Sequence, residues 1–139
     1  MLDQLTLYQK HYDLILYAFP IILKYPRDTR FTLGQQTIDC LIEIARMIAV
    51  ANKQRERRKT LFDIDLQLEE LRLLIRLAKD LKLLPLRQYG LMSERINEVG
   101  RLLGGWMKSN VPDSFLPNLA WTSWVIVFGK PTAYYAREA

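Results

Sequence analysis

Asp63 and Asp65 stand two apart in LFDID, a spacing at which paired carboxylates can hold a divalent metal, and the chain has one thiol, Cys40, and one imidazole, His11. Each could do chemistry only in company. On a helix, residues two apart point to different sides, so Asp63 and Asp65 are expected to cap or to face solvent. A zinc site built from Cys and His needs more ligands than single copies supply. A nucleophilic triad fails because no histidine follows Cys40 in the chain. The di-metal carboxylate site of a helical bundle requires Glu-x-x-His pairs on two helices, and no such pair occurs. There is no glycine-rich phosphate loop either. The expectation is a protein with no catalytic residue, metal site or cofactor, and hence no enzyme.

The remaining chemistry is positive charge. The 139 residues hold 20 Lys and Arg against 15 Asp and Glu, a net of +5, and the excess falls mostly in residues 1–60. KQRERRK, residues 53–59, has five basic residues and one acid. Arg72, Arg76 and Lys79 recur at spacings of four and three, which places them within ~60° of one another around a helix. Glu69 and Asp80 flank that stripe and can partly neutralise it through pairs on neighbouring turns. A solvated helix face and a phosphate-binding strip both fit these charges.

Four elements must position them. Apolar residues recur at alternating three and four spacings in four series. These are Leu5, Tyr8, Tyr12, Ile15, Phe19, Ile22; then Ile38, Leu41, Ala45, Ile48; then Leu61, Ile64, Leu68, Leu71, Ile75, Ala78; and finally Tyr89, Met92, Ile96, Val99, Leu103, Trp106. Pro20 predicts a kink or an irregular turn in the first helix, and Thr60 reads as a possible N-cap of the third. The second helix is expected from about Thr29 toward Asn52. Short connections favour an all-α, antiparallel up-down-up-down four-helix bundle over residues 1–109. Residues 110–139, with the β-branched and aromatic run WTSWVIVF, lack helical periodicity and are expected to form a non-helical C-terminal extension. This is either a covering for bundle surface or an arm for another subunit or protein.

Two oddities remain. Gly100 and Gly104 lie four apart on one helix face, with Gly105 and Trp106 beside them, and each glycine inside a helix costs about 1 kcal/mol relative to alanine. Close approach of another helix would offset that. Leu73 and Leu77 fall off the core stripe of ELRLLIRLAKDLKLLP, residues 70–85, so that helix carries more leucine than one buried face uses. One cysteine excludes an intramolecular disulfide and makes a reducing, cytoplasmic setting the expectation. No signal peptide is evident, and the nearly uncharged residues 111–129, which include Asp113, two prolines and Asn118, make a poor membrane span.

Taken in order, FPIILKYPRDTRFTLG at 19–34, LFDIDLQLEELRLLIRLAKDL at 61–81, Gln88-Tyr89 and NEVGRLLGGWMKS at 97–109 carry a resemblance. They resemble the accessory variability determinant (Avd) proteins of diversity-generating retroelements, part of a wider four-helix-bundle family that includes proteins encoded in intervening sequences of ribosomal RNA. The resemblance covers about residues 1–110. It implies a basic homopentamer, without membrane association, that binds the element's reverse transcriptase and template RNA, with the cDNA as a further candidate ligand, to support mutagenic cDNA synthesis.

By that resemblance Arg72 and Arg76 match basic positions of helix three and become the first choice for contacts to RNA or polymerase, with Lys79 extending them. Arg27 and Arg30 in PRDTR come second, followed by Arg55, Arg57, Arg58 and Lys59. Their role would be phosphate positioning, because no aromatic platform alternates with them. In a ring, Leu73 and Leu77 would meet the neighbouring subunit. The alternative is an interaction protein akin to the ribosomal intervening-sequence proteins, with no polymerase partner; a reverse-transcriptase gene and a template/variable repeat pair beside the gene would choose between them.

Overall fold

Pro26, the polar stretch QRER and Pro85 interrupt the apolar periodicity, and the helices break near these points. The computed structural model describes residues 2–109, in which four long helices carry the fold: α1 (Leu2–Leu23), α2 (Gln35–Lys53), α3 (Arg58–Asp80) and α4 (Leu86–Ser109). Among the described residues there is no strand. Each helix packs against its neighbours in the chain, and α1 packs also against α4, closing an up-down-up-down square. The α1–α2 and α3–α4 connections therefore share one end, and the α2–α3 connection shares the other with the C-terminus of α4. The expectations for residues 110–139 lie outside the described residues.

The core faces of α3 and α4 follow the predicted stripes. Leu61, Ile64, Leu68, Leu71, Ile75 and Ala78 are buried on α3, and Met92, Ile96, Val99, Leu103 and Trp106 on α4. Truncating one of the large aliphatic side chains to alanine costs on the order of 2–5 kcal/mol.

Helix α1 corrects its prediction. The core takes Leu7, His11, Leu14, Ala18 and Ile22, while Leu5, Tyr8, Tyr12 and Phe19 are exposed. The helix has two apolar stripes about 120° apart at 100° per residue. The one with bulkier residues faces out, because the one containing a histidine and an alanine meets the bundle. His11 is buried and its Nε2–H donates to the Leu41 carbonyl of α2 at 2.8 Å. Burial lowers its pKa, against a smaller upward pull from that carbonyl. On α2, Thr37, Cys40, Leu41, Ile44, Ile48 and Ala51 are buried, so Ile38 and Ala45 sit at the edge of the core. The Thr37 hydroxyl donates to the Leu33 carbonyl at 2.8 Å, which satisfies it in its buried position.

Local signals explain the helix ends. The helix α1 continues through Pro20 to Leu23 with no irregular turn; Pro20 lies in its exposed last turn. A helical turn at Arg27–Thr29 and a π-helical turn at Arg30–Gly34 lead into α2. Gly34 permits a close approach there: a Cβ at that position would lie 3.2 Å from Ile22 Cγ2 and 3.4 Å from the Thr29 carbonyl oxygen, so a larger residue would push on the Ile22 side chain. Thr60 is not a cap, since α3 starts at Arg58 and the Thr60 hydroxyl donates to Gln54 Oε1 at 2.6 Å. The C-terminus of α3 closes in a Schellman motif, with Leu83 N–H on the Ala78 carbonyl and Lys82 N–H on the Lys79 carbonyl. Lys82 takes the left-handed position, at φ 64°, that glycine usually fills.

Candidate nucleic-acid and subunit interfaces

The α3 stripe divides into two environments. Arg72 is mostly inside: its side chain is 24% exposed, its Nη1 donates to Asn97 Oδ1 on α4 at 2.5 Å, and its Nε lies 3.6 Å from Glu69 Oε1. Burial lowers its pKa, while Glu69 and Asp65 pull it upward. Arg76 is 72% exposed and 3.9 Å from Asp80. Lys79 shares that carboxylate at 3.4 Å and lies over the Tyr89 ring at 4.7 Å from its centroid. Of the two first choices and the Lys79 that extends them, Arg76 alone is largely free to meet a ligand.

What Arg72 answers is a pair of acids, Glu69, which spacing placed beside the stripe, and Asp65, which it did not. Asp65 is buried, not solvated as expected, and its carboxyl is pushed up to about 7 by burial and then by the Glu69 charge, with Arg72 opposing. Glu69 is raised as well, by burial. Asp63 is the half-exposed member of the DxD pair and holds Lys59 at 3.0 Å. Position 65 lies on the α4-facing edge of the α3 core stripe, which is the signal that could have found it.

The basic run between α2 and α3 is only partly neutralised. Arg58 reaches Glu56 at 2.9 Å, and Lys59 reaches Asp63. Arg57 donates from Nη2 to the Gln54 carbonyl at 2.7 Å and sits 5.4 Å over the buried Trp106 ring, while Arg55 is exposed. At the other end, Arg30 donates to the Leu23 carbonyl at 3.3 Å and lies 5.4 Å from the Phe31 ring centroid; Arg27 is exposed.

The charges separate along the bundle axis. The α1–α2/α3–α4 end carries Lys24, Arg27, Arg30, Arg76, Lys79, Lys82 and Arg87 against Asp28 and Asp80. The waist carries Lys10, Arg46, Arg72, Arg95 and Arg101 against Asp13, Asp39, Glu43, Asp65, Glu69, Glu70, Glu94 and Glu98. Lys24, Arg27, Arg30, Lys82 and Arg87 make no ion pair among the described residues. The net positive charge therefore collects at the ends, and the unpaired part of it mostly at this one.

Apolar surface is also localised. On α1, Leu5, Tyr8, Tyr12, Leu16, Phe19 and Leu23 form an exposed stripe. Lys10 and Tyr17 reach α4 through Glu98 and Arg95, so the stripe, on the opposite flank, borders α2. On α2, Ile38, Ile42, Ala45 and Ala49 would be the matching series by spacing, with Cys40 on the other flank donating its thiol to the Gln67 carbonyl of α3 at 3.3 Å.

 The Ile42 side chain is 40% exposed and Ala49 is exposed, so α1 and α2 together present one broad apolar face. A separate ridge runs along α3, where Leu73 is 63%, Leu77 42% and Leu81 54% exposed. Gly100 and Gly104 are buried on α4, as is Trp106. Gly105 is exposed, and a Cβ built there meets nothing within 4 Å, so it serves no packing among the described residues.

Other chemistries find little footing. Cys40 is buried, and burial followed by the Glu70 carboxylate pushes its thiol up to about 12, far from a reactive thiolate. Among the described residues no group of three His, Cys, Asp or Glu could hold a metal ion, and no helix is long and apolar enough to cross a membrane.

A family model described as bAvd-like matches residues 5–110, which takes in all but the first residues of the bundle and stops one residue beyond α4. No curated protein matches the chain.

Proposed function

The chain belongs to the bAvd-like family of small helical accessory proteins, and from that premise we propose that it binds the reverse transcriptase of a diversity-generating retroelement together with its template RNA. In this role it supports mutagenic cDNA synthesis. The polymerase supplies the catalytic carboxylates and metal, and this chain supplies a basic, non-catalytic scaffold. The observation that carries the reading is the axial separation of charge, which gathers unpaired cations at an end of the bundle where a polyanion can reach several at once.

Two unlike apolar faces, one across α1 and α2 and one along α3, favour self-association of a particular kind. Unlike faces make head-to-tail contacts, which close into rings when the rotation allows. A homopentamer is the ring that the family resemblance implies, with Leu73 and Leu77 in the contact. The setting proposed is cytoplasmic.

Five phosphate contacts on a single strand give a log–log salt slope of about −3.5, and hence on the order of a hundredfold loss of affinity between about 50 and 200 mM salt. The test is a salt titration of the purified protein with structured RNA, together with co-purification with a reverse transcriptase encoded beside its gene. Absent or salt-insensitive RNA binding, with no polymerase association, overturns the proposal.

A further inference from the structure

The α1–α2 connection holds an aromatic residue that bundle packing does not use. Phe31 is 66% exposed, more than any other aromatic among the described residues. It sits in the π-helical turn Arg30–Gly34, a rare geometry that occurs mostly as single turns and often at functional sites. The turn buries Leu33 and Gly34 against the bundle and leaves the Phe31 ring in solvent.

Its surroundings are cationic and fixed. Arg30 lies over the ring at 5.4 Å from the centroid and is tied back to the Leu23 carbonyl at 3.3 Å. Thr29 donates to the Pro26 carbonyl at 3.0 Å and Thr32 to the Asp28 carbonyl at 2.9 Å, which ties the turn to the residues that precede it. Lys24 and Arg27 are exposed nearby in the chain, and Lys82 and Arg87 occupy the same end of the bundle. The sequence alone suggested basic residues without an aromatic platform. The fold supplies one, because the π-helical turn leaves Phe31 exposed with Arg30 beside its ring.

We propose that this end of the bundle is a single-stranded nucleic-acid site, in which an unpaired base stacks on Phe31 while Arg27, Arg30 and Lys24 hold the flanking phosphates. A platform with a π-face and a basic border takes single strands with little sequence preference. A duplex, whose bases are already stacked, has no face to offer the ring. The inference rests on the nucleic-acid reading above and narrows it to unpaired segments of the RNA.

The experiment compares the full chain with Phe31→Ala and Phe31→Trp, using a short fluorescein-labelled oligoadenylate and, as a polyanion without bases, labelled heparin. Alanine is expected to weaken oligoadenylate about tenfold while heparin binding stays as in the unsubstituted chain, and tryptophan is expected to retain both. Arg27→Ala is expected to weaken both probes and to flatten the salt slope by about 0.7. Unchanged oligoadenylate binding by Phe31→Ala overturns the site while leaving RNA binding by another surface intact. A smaller mass by light scattering identifies Phe31 as a subunit contact, and loss of polymerase capture with oligoadenylate unaffected identifies a protein site; either result overturns the proposal. An unsubstituted chain that binds neither probe overturns the broader reading as well.

Discussion

Arg72 on α3 donates to Asn97 on α4 across 2.5 Å, so a residue of the basic stripe is also a tie between two helices. Removing it leaves Glu69 and the buried Asp65 without their cation. Arg72→Ala should therefore destabilise the bundle by about 2–3 kcal/mol. Arg76→Ala, at a largely exposed position, should stay within about 0.5 kcal/mol. Denaturant melts of the two variants beside RNA titrations separate the roles, and a fully stable Arg72→Ala would contradict the structural one.

Asp65 makes stability depend on pH with a definite sign. Its folded pKa of about 7 lies above the ordinary 3.8, so between those values the folded state holds more protons than the unfolded one. Its contribution is fully present below about pH 4 and is lost as pH rises through 7. His11 acts oppositely: its folded pKa is lowered from 6.5, so its share is present above 6.5 and is lost as pH falls below that. The two partly cancel on the acid side of neutrality. Asp65→Asn should raise stability at pH 8, by at most about 4 kcal/mol, and should leave a melt that weakens on acidification below pH 6.5. A variant no more stable than the parent at pH 8 would refute the assignment.

Lys82 occupies a left-handed position at φ 64°. Lys82→Gly should stabilise the chain by about 1 kcal/mol, read as an increased denaturant midpoint with unchanged slope. No gain would mean that the Schellman turn is held by contacts the lysine itself makes.

Gly105→Ala should also stabilise, by about 0.5–1 kcal/mol, because the added methyl meets nothing and helix propensity improves. If instead it dissociates an oligomer, a neighbouring subunit passes close to α4 at this point. Light scattering beside the melt distinguishes the two.

Leu73→Asp should reduce the mass seen by light scattering while helical circular dichroism persists, since the side chain is 63% exposed in the single chain. Unfolding and dissociation at the same point would place Leu73 in the fold itself.

Helix number, order and the core stripes of α3 and α4 were legible because their apolar residues form a single dominant series. For α1 the same rule failed: two apolar stripes compete, and periodicity has no means to rank Tyr8 and Tyr12 below Leu7 and His11 when the apolar outer face has a use of its own. Candidate sites were legible as charge but not as availability. Sequence spacing placed Glu69 and Asp80 beside the stripe, whereas the burial of Arg72 against Asn97 depends on a helix 25 residues away. Phe31 was missed for a related reason, since a π turn has no residue signature and alone decides which way that ring points.

The separation of charge described above is, in electrostatic terms, closer to a quadrupole than to a dipole: basic ends and an acidic belt. Two such bodies repel when they approach end to end and attract when the end of one meets the side of another. A polyanion reverses the first preference by screening the facing ends. Copies stacked along their axes would then be held by the nucleic acid between them, so strand length, not protein concentration, would set how many assemble.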